Sequence, residues 1–162
     1  MRIVCTKKAL PRHLPVTNDL HSAWDIKMPR RSRLYLKLAL FKTRKGMRLY
    51  WNKYLDGDIG PDTFGIVSSL STKIADYRKG KHGQERTEVD PRYFAVMGIS
   101  LPDCDAEVIC HESVHAGFAW AKRVKPGKLW ALKNEENEEE FVCYPAGYIA
   151  RRVATLIAKE CK

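Results

Sequence analysis

The chain has no C-x-x-C pair, no apolar run approaching the roughly 20 residues of a membrane span, and no apolar stretch at its N-terminus resembling a signal peptide. Its five cysteines, Cys5, Cys104, Cys110, Cys143 and Cys161, are an odd set that does not read as a disulfide framework. These absences predict a reducing, cytoplasmic setting and exclude a membrane role other than a peripheral one. Internal repeats are also lacking, and the acidic run NEENEEE is the single low-complexity stretch.

What is present is enough for one core. With 162 residues, 44% of them hydrophobic and 30% charged, the chain predicts a single α+β domain over residues 1–162. It divides into a basic part, 1–91, and a second part, 92–162. Charge is uneven: residues 1–100 hold 20 Lys/Arg against 9 Asp/Glu, whereas residues 101–162 hold 9 against 10. The densest clusters are RRSR at 30–33, KTRK at 42–45 and YRKGK at 77–81, with Tyr35, Tyr50 and Trp51 nearby. Such a surface suits nucleic acid or an acidic protein partner, or simply a solvated face.

Periodicity organises the rest. A short strand is expected near Arg2–Thr6, followed by a surface-hugging segment broken by Pro11, Pro15 and Pro29. Leu34, Leu36, Leu38 and Leu40, then Met47, Leu49 and Trp51, alternate at period two and predict a hairpin turning at 43–46. Phe64, Val67, Leu70 and Ile74 recur at helical spacing, with Asp62 as a cap and Gly80 as a stop. A basic loop over 78–91 and a strand over Arg92–Ser100 follow. A helix is expected over 104–123, with Asp103 as cap and Lys122 and Arg123 closing it. A second begins near Asn137 and runs towards Lys159, with a kink or fresh start near Phe141–Pro145.

The first of those two helices carries CHESVHAGFAW, residues 110–120. Side chains four apart stack on one helical face, so His111 and His115 can aim two ring nitrogens at one point. Glu112 projects about 100° round the helix, near enough to take a proton from water at a metal without being a ligand. This H-E-x-x-H spacing points to Zn²⁺. The bland alternative is a pair of helix-face histidines bonded to carboxylates or backbone. A catalytic zinc needs a further protein ligand, yet no histidine follows His115 and position 121 is Ala, which excludes the longer H-E-x-x-H-x-x-G-x-x-H pattern. The run ENEEEFVCYPAGYIAR offers Glu138, Glu139 and Glu140 instead. Tyr144, Tyr148 and Arg151 follow Glu140 on roughly one face, as core residues or as donors to an oxyanion. Cys110 and Cys143 read as small buried hydrophobes, with zinc ligation as the alternative.

HESVH followed by EEFVCYPAGY resembles the glutamate zincins, or gluzincins, and in particular small metallopeptidases of phage and bacterial type. The similarity covers about residues 92–160. It implies a zincin-like fold, a peptide or protein substrate, His111 and His115 as zinc ligands and Glu112 as general base. A glutamate three positions before a small residue supplies the remaining ligand in that family. Glu140, three before Cys143, is therefore the first choice and Glu139 the second. The resemblance also implies that the strand before the motif helix, Arg92–Ser100, is an edge strand beside the substrate cleft. The other reading, from a different class, is a catalytically silent zincin scaffold whose basic N-terminal half binds nucleic acid or a host protein.

Overall fold

A computed structural model of the chain describes residues 16–29, 32–55, 59–70, 75–78, 84–87, 91–125 and 136–160, the backbone alone for 75–78, 84–87 and 136–139. Among these residues the fold is α+β. A four-stranded mixed sheet runs in the order β1 (Leu20–Lys27), β2 (Tyr35–Phe41), β6 (Tyr93–Ser100), β3 (Gly65–Ser69). β1 is antiparallel to β2, β2 is parallel to β6, and β3 returns antiparallel to β6. β4 (Ala75–Arg78) and β5 (Gln84–Thr87) form a separate antiparallel pair.

Helices cover both faces of the main sheet. On one face α1 (Arg44–Tyr54) lays Met47, Tyr50 and Trp51 against Ala23, Ala39, Phe41 and Val96. On the other, α2 (Ala106–Val124) and α3 (Glu136–Glu160) cover Trp24, Ile26, Leu36, Leu38, Leu40, Met97 and Ile99. Each large apolar side chain so enclosed contributes on the order of 1.5–3 kcal/mol. The helices meet closely at Gly117, where a methyl group would come within 3.0 Å of the Val142 carbonyl oxygen.

Several expectations are corrected here. The second arm of the hairpin is α1, not a strand. Thr43 caps it by accepting a hydrogen bond from Gly46 N at 3.0 Å, and Met47, Tyr50, Trp51 and Tyr54 follow the i, i+3, i+4, i+7 rule, while Leu49 faces out. The helix expected over 62–80 is replaced by β3 and β4, in keeping with the weak helix-forming run SSLST. The strand over Arg92–Ser100 exists, as β6, but lies inside the sheet, whose edges are β1 and β3. All eight β6 residues are buried, the pattern of a strand covered on both faces.

The segment expected to hug the surface contains β1, which buries Trp24 and Ile26, and the basic loop contains β5. The strand expected near Arg2–Thr6 lies outside the described residues. α3 passes through Pro145 as one helix, with no fresh start there. Tyr50 and Trp51 are core residues, Trp51 donating its indole N–H to Ser68 Oγ at 2.8 Å, so neither is a surface aromatic for base stacking. No helix among the described residues is long and apolar enough to cross a membrane.

The sheet also encloses a charge pair. Lys37 of β2 is fully buried, ion-paired with Asp25 of β1 and 5.0 Å from the centre of the Tyr93 ring. Desolvation lowers the Lys37 pKa, and Asp25 opposes that shift.

Candidate metal centre and its cleft

α2 starts where the chain carries a capping signal, two residues later than expected. Asp105 is the N-cap, accepting from Val108 N at 2.8 Å, and Glu107 lies in the first turn. Asp103 sits in the preceding 3-10 turn, Leu101–Asp103, and binds the Arg44 guanidinium in a two-pronged contact with Nε···Oδ2 at 3.1 Å. That contact holds the Asp103 carboxyl below its usual range. It also turns Arg44, a member of one basic cluster, inward against the Phe64 ring.

From this start the helix places His111 and His115 on successive turns of an exposed face. Their Nε2 atoms are 3.1 Å apart, and the rings meet edge to face with centroids 4.8 Å apart. At that distance one neutral imidazole donates its N–H to the other. The same spacing fits a shared ion: two nitrogens about 2.0–2.1 Å from a tetrahedral zinc lie about 3.3 Å from each other. Partial desolvation, and then the proximity of His111, lower the His115 pKa, which favours the neutral, ligand-competent ring.

Glu112 points elsewhere. It is 5% exposed, and burial pushes its carboxyl up to about 7. Space for it is made by β3: a methyl group on Gly65 would lie 2.6 Å from Glu112 Cγ and 3.0 Å from Val108 Cγ1. His111, Glu112, Val108, Phe64 and Gly65 line a cleft of about 590 Å³ between the start of β3 and the first turns of α2. An edge strand, β3, thus borders the cleft, in place of Arg92–Ser100, the strand that the resemblance implies there.

The other candidates are not gathered here. Glu140 is exposed and lines a second groove of about 870 Å³ with Trp120, Tyr144, Tyr148 and Arg151. Tyr148 donates its hydroxyl to the Lys27 carbonyl at 3.0 Å, and Tyr144 is 68% exposed. The backbone of Glu139 lies in α3, while its side chain falls outside the described residues. Cys110 and Cys143 are exposed free thiols rather than the buried hydrophobes expected, because each lies on the outward side of its helix. Among the described residues no group of three His, Cys, Asp or Glu side chains is placed to hold one metal ion.

No known protein family, no curated protein and no solved structure matches the chain. Sequence reading missed Gly65, whose role appears only when β3 is laid against α2. It also missed Glu107, which precedes His111 by one turn and could have been found by extending the i, i+4 row backwards.

Proposed function

We propose that this protein is a zinc-dependent hydrolase, most simply a metallopeptidase, with His111 and His115 as two of the metal ligands and Glu112 as general base. The observation that carries the reading is the convergence of two Nε2 atoms, 3.1 Å apart, one of them on His111, which lines the same cleft as the buried Glu112. Zinc, when bound, supplies a Lewis acid that polarises a carbonyl and acidifies water. Glu112 then accepts the proton from the attacking water and returns it to the leaving nitrogen, a task suited to a carboxyl raised to about 7. Of the two candidates for a third ligand, Glu140 lines the second groove, and the backbone of Glu139 lies beside it in α3. β3, which among the described residues is paired on one side only, offers backbone groups to an extended substrate.

The test is metal analysis of untagged protein. Wild type should bind one zinc per chain, His115→Ala should lose it, and Glu112→Gln should keep it while losing hydrolysis of a peptide library. Wild type that binds no zinc at micromolar concentration would remove the proposal. The lack of a three-ligand group among the described residues favours a second reading, a silent scaffold with a hydrogen-bonded histidine pair. Zinc-free protein that binds DNA or RNA in a salt-dependent way and cleaves no peptide would select it.

A further inference from the structure

We propose that the cleft beside His111 and Glu112 selects a substrate bearing a lysine or arginine side chain, recognised by Glu107 and Asp62; this rests on the hydrolase reading of the same site. Five carboxylates, Asp62, Asp103, Asp105, Glu107 and Glu112, line the cleft, and no lysine or arginine is among its described lining residues. The chain as a whole carries a formal charge of +10, so this concentration of negative charge runs against its composition.

The five are not equivalent. Asp103 is neutralised by Arg44, and Asp105 is committed to the cap of α2. Glu112 is buried at the cleft wall with no hydrogen-bond partner among the described residues, so an acceptor faces the space where a ligand would sit. Asp62 and Glu107 remain, both exposed. Asp62 acts on Arg44 through space without a bond to it. The α2 N-terminus favours a carboxylate at Glu107 for helix stability, but Asp62 precedes β3 and owes nothing to that dipole.

Geometry gives Glu107 its reach. Glu107, His111 and His115 form one i, i+4 row, which places Glu107 one turn, about 5–6 Å, beyond His111. Across the whole row, about 12 Å, the three cannot share one ion. A substrate bond held at the histidines can therefore extend a long basic side chain along the row to Glu107. The remote positive charge does not cancel this. A space of about 590 Å³ has a radius of about 5 Å, so its lining charges lie within the roughly 8 Å screening length of any occupant, while distant lysines and arginines are screened.

The test uses the full-length Glu112→Gln protein and two fluorescein-labelled hexapeptides, identical except for a central Lys or Glu. Binding is followed by anisotropy at about 0.15 M salt. The Lys peptide should bind about tenfold more tightly, and Glu107→Gln with Asp62→Asn should reduce that ratio to about twofold. Glu107→Lys alone should reverse the preference, a second route that adds one charge instead of deleting two. Equal or tighter binding of the Glu peptide, or a Lys preference untouched by these variants, overturns charge selection. Wild-type enzyme separates the two ideas: no cleavage with the Lys preference intact removes the hydrolase reading alone, and equal cleavage of both peptides removes selectivity alone.

Discussion

Replacing Glu112 with glutamine should make the metal-free protein more resistant to alkaline pH. Burial raises the folded-state carboxyl from its ordinary 4.5 to about 7, so ionising it costs more in the folded protein than in the unfolded chain. Below pH 4.5 both states hold the proton and the residue is neutral to stability. Between 4.5 and 7 the unfolded chain ionises first, which favours unfolding, and the penalty levels off above 7. At 1.36 kcal/mol per pKa unit the full penalty is about 3 kcal/mol, with about 1 kcal/mol already present at pH 5.5. Glutamine has nearly the same shape and does not titrate. The difference in unfolding free energy between Glu112→Gln and wild type should therefore grow by about 3 kcal/mol from pH 4.5 to 8.

Urea denaturation of EDTA-treated proteins at several pH values measures it, and other titrating groups cancel in the difference. The amide's own burial adds a constant offset, so the slope is the diagnostic quantity. Curves that stay parallel within about 0.5 kcal/mol over that range would refute the claim that Glu112 is desolvated beneath β3.

Gly65→Ala should destabilise the protein by about 1–3 kcal/mol in the same assay, because the new methyl must displace the Glu112 side chain. It should also impair any zinc-dependent hydrolysis more than zinc binding, since the nearest neighbours of the new methyl are Glu112 and Val108. Removing Asp25 by alanine should cost about 3–5 kcal/mol by stranding a buried lysine, whereas Asp25→Leu with Lys37→Met should be close to neutral; thermal melts of the two separate pairing from packing. Gly117→Leu should force α2 from α3 and lower the melting temperature by several degrees, an effect absent at the exposed Val114→Ala. Adding zinc at about 100 times its dissociation constant should stabilise wild type by about 2.7 kcal/mol, and His111→Ala should abolish that gain.

The parts legible in advance share one property: a local pattern decided them. Lys122 and Arg123 mark the end of α2, and the four-residue spacing of His111 and His115 stacks two rings on one face; the cap is Asp105, two residues after the expected Asp103. Leu36, Leu38 and Leu40 announced β2 by alternation. Misreadings arose where two periods fitted the same residues. MRLYW satisfies period two through Met47, Leu49 and Trp51, yet Met47, Tyr50, Trp51 and Tyr54 fit a helix better once Thr43 is seen as a cap. The resemblance implies an edge position for Arg92–Ser100, whereas the unbroken apolar run from Tyr93 to Ile99 belongs to a strand covered on both sides.

The pair of imidazoles and the helix that presents them thus follow from the primary structure, because backbone geometry over five residues sets their separation. Tertiary structure alone decided the rest. β3 packs on α2 across more than forty residues of chain, and only that contact buries Glu112, raises its carboxyl and leaves room for it at Gly65. α3 likewise carries Glu140, Tyr144 and Tyr148 to a second groove, away from the cleft that His111 and Glu112 line. A short-range pattern records which way a side chain leaves its own helix; which wall it then meets depends on how distant segments dock.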